Sequence, residues 1–172
     1  MKTKSFAIVL GIALAFSPTY AADKDKSDKA SAADTAFIMK AADGGMTEVE
    51  LGKVAEKNGQ RDDVKTFGGH MIKDHGKAGE NLKSVASKMN VTVPDKVGPK
   101  HQATIDKMSK MSGPSFDTAY IKAMVEDHEK DIAEFEKARG QVSNEDLKKF
   151  IDETVPVMKE HLEMVKKMQA TK

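Results

Sequence analysis

The sequence predicts an all-α protein folded as one antiparallel four-helix bundle, with a short extra helix in the long connection between helices two and three. Two observations support this fold class. Apolar residues recur at helical spacing along four long stretches that are rich in helix-forming residues. The connections between helices one and two, and between helices three and four, are only a few residues long, which forces those neighbours to run antiparallel.

Helices one and two are bounded by residues that stop helices. The pattern predicts helix one over residues 34–57, ending at the turn Asn58-Gly59. Helix two follows over residues 62–89 and ends before Pro94, because the residue before a proline disfavours helical backbone. A short helix over residues 99–111 then carries Ile105 and Met108 at the spacing needed to pack on the bundle.

Helices three and four complete the predicted bundle. Helix three begins at Pro114 or Ser115 and stops at Gly140. Helix four is capped by Ser143 or Asn144 and extends to about residue 169. We expect a kink at Pro156, because proline removes one backbone donor and crowds the preceding turn.

The N-terminus predicts export. Lys2 and Lys4 precede an uncharged stretch over residues 5–16, and small residues follow up to Ala21, which is the pattern of a secretory signal peptide cleaved after Ala21. Residues 22–33 are charged and lack periodicity, so we expect a disordered leader. The predicted domains are therefore a signal peptide (1–21), a leader (22–33) and the helical domain (34–172), with a periplasmic or secreted location.

Composition excludes several classes of partner and reaction. There is no cysteine, so an exported chain must rely on its core or on a bound ion rather than on disulfides. Acidic and basic residues are mixed and nearly balanced, so we expect no nucleic-acid partner and no polybasic membrane patch. No segment after the signal is long and apolar enough to span a membrane. No nucleophile elbow or phosphate-binding loop is present, which leaves an enzyme as the least supported function.

One polar residue lies at the centre of the apolar face of each long helix. These residues are Glu48, His75, His128 and His161. Buried without partners, they would cost several kcal/mol of desolvation, and a divalent ion would satisfy all four. Imidazole with carboxylate suits zinc, iron or copper. A methionine one turn from each histidine keeps copper open; these are Met71, Met124, Met158 and Met164.

The position of His161 leaves alternatives open. Counted from the short connections, Glu48, His75 and His128 lie at similar heights, whereas His161 lies more than a turn lower, by about 10 Å of helix rise. A kink at Pro156 would decide whether His161 joins the same site, belongs to a second one or is a core residue. The neighbouring Asp74 and Asp127 are expected to be partners rather than ligands, and His70 and His101 lie outside the site.

The alternative to a metal site is a structural role. In that case the chain is a non-catalytic, structural or stress-related envelope protein whose core histidines are hydrogen-bonded and hold no metal. The segment from Phe67 to Lys77 and the segment from Tyr120 to Lys130 also share residue types at one constant offset. That similarity is compatible with a duplicated helix or with chance between two helices of similar composition.

Several short motifs resemble one family. They are Gly44-Gly45-Met46 with Glu48-Val49-Glu50-Leu51-Gly52, Met71 to His75, Phe116-Asp117 with Tyr120, Asp127-His128-Glu129, and Pro156 with His161-Leu162-Glu163-Met164. In these the chain resembles the bacterial domain-of-unknown-function family 4142, over about residues 34–168. The resemblance implies an exported, ferritin-like four-helix bundle with no established activity. The Glu-x-x-His pairs of ferritin-like di-iron proteins are absent, which speaks against iron storage and di-iron oxidation.

Overall fold

A computed structural model describes residues 29–171. The predicted signal peptide, the predicted leader up to residue 28, and Lys172 lie outside the described residues. The described part is all-helical and contains no strand. Its elements are α1 (Ala32–Asn58), α2 (Asp62–His70), a π-helical segment (Met71–His75), α3 (Gly76–Lys88), α4 (Pro99–Ser109), α5 (Gly113–Arg139) and α6 (Glu145–Ala170).

Most helix boundaries match the sequence prediction. Helix α1 ends at Asn58, and Asn144 caps α6 by accepting a hydrogen bond from the Leu147 amide. The start of α1 is two residues earlier than predicted, because Ser31 and Asp34 form a capping box that satisfies free amides of the first turn. The short helix α4 is present, and its Ile105 and Met108 are buried as expected.

The second long helix is continuous but not uniform. Helix α2 passes into the π-helical segment, which passes directly into α3. A π-helical turn holds more residues than an α-helical turn, so it shifts the faces on either side of it relative to each other. Met71 at its start and His75 at its end are both buried. Such segments are frequent at functional sites.

The interior consists of two apolar clusters with a polar layer between them. One cluster contains Ile38, Leu82, Ile132, Leu147, Phe150 and Met158, and the other contains Leu51, Phe67, Met71, Tyr120, Met124 and Val165. Along each of the four long helical stretches, one cluster's residues come before the polar residue and the other cluster's residues follow it. The layer is made by Glu48, His75, His128 and His161.

Two buried carboxylates tie the ends of the helices together in the same way. Asp34, at the start of α1, accepts hydrogen bonds from the Ser143 amide (2.8 Å) and hydroxyl (2.7 Å) in the turn before α6. Asp117, near the start of α5, accepts from the amides of Gln60 and Arg61 (both 3.0 Å) in the turn before α2. The residues after each carboxylate also match: Asp-Thr-Ala-Phe-Ile after one and Asp-Thr-Ala-Tyr-Ile after the other. A similar residue pattern and the same kind of capping contact therefore occur at the start of both α1 and α5.

Helices α1 and α2 approach each other through glycines. A Cβ atom on Gly52 would lie 2.7 Å from the Gly68 carbonyl oxygen, and a Cβ on Gly68 would lie 2.7 Å from the Gly52 carbonyl oxygen. Only glycine permits backbones this close. The contact lies one turn from Glu48 and holds the α1 backbone against the helix that carries His75.

Helix α6 continues through Pro156, and its residues on both sides remain helical. Val155 and Met158 are buried on either side of the proline. Among residues 29–171, no helix combines the length and the apolar character that crossing a membrane requires.

Candidate metal centre

Four elements each supply one side chain to the polar layer. Glu48 comes from α1, His75 from the π-helical segment, His128 from α5 and His161 from α6, and all four are buried. The imidazole ring centroids lie 5.3 Å (His75–His161), 5.5 Å (His128–His161) and 5.8 Å (His75–His128) apart. The structure thus brings His161 into the same layer as the other two histidines. The sequence analysis placed His161 about 10 Å lower. That value assumed that the last residue of α5 and the first residue of α6 lie at the same height along the helix axes.

His75 is bound to Glu48. Its Nδ1–H donates to Glu48 Oε2 over 2.7 Å, and both side chains are almost completely excluded from solvent. Burial by itself lowers the pKa of His75 and raises that of Glu48, because it penalises the charged form of each. Their mutual attraction and hydrogen bond outweigh burial, so the pKa of His75 is raised and that of Glu48 is lowered.

His128 is held by backbone. Its Nδ1–H donates to the Met124 carbonyl oxygen over 2.9 Å, one turn earlier on α5. The same nitrogen lies 3.7 Å from Glu48 Oε1, too far for a hydrogen bond. Burial is the main reason that the pKa of His128 falls below its ordinary value. The ring is therefore neutral at pH 7, with Nδ1 protonated and Nε2 carrying the lone pair.

His161 is bound to Asp74, which lies next to His75 in the π-helical segment. Its Nε2–H donates to Asp74 Oδ2 over 3.1 Å. Burial lowers the pKa of His161 to about 4, although its hydrogen bond to Asp74 opposes that shift. Asp74 is thus a hydrogen-bond partner of His161, a specific contact that the sequence did not predict. His70 lies on the exposed side, with Nδ1 3.9 Å from the same Asp74 oxygen.

Each imidazole keeps one ring nitrogen without a hydrogen-bond partner. Within the described part of the chain, these buried atoms are His75 Nε2, His128 Nε2 and His161 Nδ1. One nitrogen of each ring lies within 4.8 Å of one nitrogen of the others. An unpaired buried polar atom costs about 1–3 kcal/mol, so three of them together require a common explanation.

The arrangement has the chemistry of a metal-binding site. A metal-ligating histidine typically donates its second N–H to a carboxylate or a backbone carbonyl, which fixes the tautomer and the ring orientation. All three histidines have such a partner: Glu48, the Met124 carbonyl and Asp74. In their neutral forms three imidazoles suit zinc, copper, nickel or iron, and His75, whose pKa is raised by Glu48, would release its Nε2 proton when an ion binds. The residues present therefore fit a transition-metal ion.

Glu48 has a different position from the three histidines. It lies beside their group rather than within it, and its Oε2 is used by His75. Its Oε1 is buried and has no hydrogen-bond partner among the described residues. These distances make Glu48 the residue that orients His75, and its role as a ligand stays a prediction.

Glu48 also belongs to a group of carboxylates. One oxygen each of Glu48, Asp127 and Asp131 lies within 4.8 Å of the others. Burial, and then the charges of Glu48 and Asp127, raise the pKa of Asp131 to about 7; burial and Glu48 also raise the pKa of Asp127. Sequence reasoning missed Asp131. One signal could have found it: the spacing that relates Asp34 to Asp117 also relates Glu48 to Asp131.

An open groove of about 1220 Å³ reaches the polar layer from one side of the protein. Glu48, His75 and Asp131 line its inner end, and Gly44, Gly45 and Gly79 leave space that side chains would otherwise fill. His101 lies on the wall of the groove, where its Nδ1 is 2.8 Å from Asp43 Oδ2 and not near the histidine group. Water and ions therefore have a path to the buried polar residues.

The methionines proposed for copper are core residues. Met71 and Met124 are fully buried in one apolar cluster, and Met158 is buried in the other. Met164 is partly buried against the first of these clusters. Their burial is the behaviour of gap-filling core side chains.

Comparison with known proteins identifies a family and nothing more specific. Residues 19–168 match the family model described as Domain of unknown function (DUF4142), which confirms the resemblance seen in the sequence motifs. No curated protein and no solved structure matches the chain.

Proposed function

The chain belongs to the domain-of-unknown-function family DUF4142, and because that description names no activity, we propose from the site alone that the protein binds a transition-metal ion. The ligands are His75, His128 and His161, and Glu48 orients His75 and stands next to the ion. Three protein ligands leave a coordination position for water or a further group.

One observation supports this proposal above the others. Each histidine donates one ring N–H to a protein acceptor and keeps its other nitrogen buried and unpaired, and the three rings each bring one nitrogen within 4.8 Å of the others. A set of structural histidines would need hydrogen bonds at both nitrogens to avoid the cost of burial. Three clustered imidazoles, each with one unpaired buried nitrogen, suit a metal ion.

We also propose the finer features of fold and location. The four long helical stretches and the inward polar layer agree with a ferritin-like antiparallel four-helix bundle, with α4 as the extra helix of the long connection. Lys2, Lys4 and the uncharged stretch over residues 5–16 support export to the periplasm. An exported protein without cysteine gains stability from a bound ion by mass action, which gives the site a structural benefit.

Metal analysis tests the proposed function. Purified chain is loaded with zinc, copper or iron(II), dialysed and assayed for metal content, and its melting temperature is measured with and without chelator. We expect one ion per chain and a rise of several degrees with the preferred ion, because an ion that binds only the native state stabilises it. The double variant His75→Ala with His128→Ala, and the single variant His161→Ala, should lose the ion.

The matched control is His70→Ala, which removes an imidazole that is half-exposed and lies outside the group. It should retain the wild-type metal content. Equal metal content in all variants, or a melting temperature that no ion and no chelator changes, would contradict the proposal. That second result would favour the structural alternative, in which the three histidines serve only the hydrogen bonds to Glu48, Met124 and Asp74.

A further inference from the structure

Three carboxylates form a second cluster beside the histidine group. Glu48 from α1 faces Asp127 and Asp131 from α5, with one oxygen of each within 4.8 Å of the others. All three side chains line the inner end of the groove. We propose that Glu48, Asp127 and Asp131 bind a hard divalent cation, of the magnesium, calcium or manganese class, separate from the ion at the histidines.

Protein donors do not satisfy this group. In the described part of the chain, Asp127 and Asp131 accept no hydrogen bond, and the nearest cation is Lys130, whose Nζ lies 3.7 Å from Asp131 Oδ1. That lysine side chain is more than half exposed, so it is a solvated partner and not a buried counter-ion. Carboxylates so close together repel each other strongly where solvent is limited.

Glu48 supplies the second observation. Its side chain is almost completely buried, and Oε1 has no hydrogen-bond partner among residues 29–171. The other oxygen is already bonded to His75. A buried carboxylate oxygen without a hydrogen-bond partner costs free energy, and a bound cation would relieve that cost.

Space and ligand type identify the class of cation. The groove has room for several waters beside the carboxylates, since a water occupies roughly 30 Å³ and the groove holds about 1220 Å³. Gly44 leaves space next to Asp131, because any side chain there would begin with a Cβ in contact with Asp131 Oδ2, at 3.5 Å. Oxygen ligands with retained waters suit magnesium, calcium and manganese, whereas imidazoles suit zinc and copper. The two sites would share Glu48 and differ in the metal that each prefers.

Manganese(II) is the probe, because its free and bound forms differ in electron paramagnetic resonance. The purified chain is titrated with manganese up to millimolar concentration, with and without one equivalent of zinc already bound. We expect one manganese ion per chain in both conditions. The double variant Asp127→Asn with Asp131→Asn should weaken manganese binding at least tenfold while retaining zinc.

Two further variants make the result specific. Glu126→Gln with Glu136→Gln removes the same charge from exposed positions of α5 and should change manganese affinity less than threefold. His128→Ala with His161→Ala should abolish zinc binding and leave manganese binding within threefold. Circular dichroism checks folding, and the single variant Asp131→Asn replaces the double variant if the latter does not fold.

The outcomes separate this inference from the proposed function. The inference is overturned if wild-type protein binds no manganese below millimolar concentration, if zinc displaces manganese one for one, or if the Asp127/Asp131 and Glu126/Glu136 variants bind it equally. Manganese binding without zinc binding would instead overturn the histidine site alone. In that case Glu48, Asp127 and Asp131 would still form a cation site that does not depend on the histidines.

Discussion

Glu48 Oε2 lies 2.7 Å from His75 Nδ1, and this pair is buried at the point where α1 crosses the π-helical segment. Glu48 is the only one of the four central side chains in the layer that is an acid. It connects the histidine group on one side with Asp127 and Asp131 on the other. Its charge therefore bears on the stability of the core and on both proposed ion sites.

Replacing Glu48 by glutamine should weaken both stability and metal binding. Glu48→Gln keeps the shape but removes the charge that raises the pKa of His75 and orients its ring. We expect a loss of about 1–3 kcal/mol in the free energy of unfolding in chelator, and about 10–100-fold weaker zinc binding. Urea unfolding and zinc titration measure the two effects. Glu50→Gln on the same helix should change stability by less than about 0.5 kcal/mol, because the Glu50 side chain is 44% exposed and its ion pair with Lys53 is solvated. Equal losses in both variants would refute the special role of Glu48.

The contact between Gly52 and Gly68 should tolerate no side chain. Gly52→Ala would place a Cβ 2.7 Å from the Gly68 carbonyl oxygen, a backbone atom that cannot move without separating α1 from α2. We expect a loss of at least about 2 kcal/mol in the free energy of unfolding. Gly79→Ala is the control, because its Cβ would meet nothing within 4 Å and alanine favours helix by about 0.5–1 kcal/mol. Similar stabilities of the two variants would show that the close approach is not required.

Asp34 should make stability depend on acid pH. Burial alone would raise its pKa, but hydrogen bonds from Ser143 and Ser31 lower it to about 2, against an ordinary value of 3.8. Because the folded-state pKa is the lower one, the contribution is fully present above pH 3.8 and is lost as the pH falls from there to about 2. Asp34→Asn should lose about 2 kcal/mol at pH 7 and show a flatter decline of stability below pH 4. Urea unfolding from pH 2 to pH 7 tests this, with the exposed Asp152→Asn as control; parallel curves for Asp34→Asn and wild type would contradict it.

The hydroxyl of Tyr120 should contribute nothing to stability. It is buried and has no hydrogen-bond partner in the described part of the chain. Burial, together with the charge of Glu48, raises its pKa, so it remains protonated. Tyr120→Phe should leave the free energy of unfolding unchanged or raise it by up to about 1 kcal/mol, as measured by thermal and urea unfolding. The comparison is Thr47→Val, which removes a buried hydroxyl that donates to the Asp43 carbonyl (2.6 Å) and should lose about 1 kcal/mol. A clear loss in Tyr120→Phe would indicate a partner for this hydroxyl.

Local signals were sufficient to predict the helices and the four central residues. Helical periodicity identified the faces of Glu48, His75, His128 and His161, and all four are buried. Caps and stop residues predicted the ends of most helices to within a few residues. These features depend on neighbours along the chain, so the sequence contains them directly.

Two features could not be predicted from the sequence, because they depend on how the helices pack. A π-helical segment has no simple residue pattern, and His75 lies at the end of one. In the sequence, Asp131 is not distinguishable from the other acidic residues of α5. It becomes a neighbour of Glu48 only because α1 packs against α5. Counting residues along helices cannot supply such distances between them.

The sequence by itself determined that the protein is all-helical and that each long helix turns one polar side chain inward. Only the tertiary structure decided that His161 shares a layer with His75 and His128, which ring nitrogens remain unpaired, and that Glu48 has carboxylates on its other side. The physical reason is that periodicity fixes a direction around one helix axis. Heights and distances between helices follow from packing, here from the Gly52–Gly68 contact and the hydrogen bonds of Asp34 and Asp117 at the helix ends.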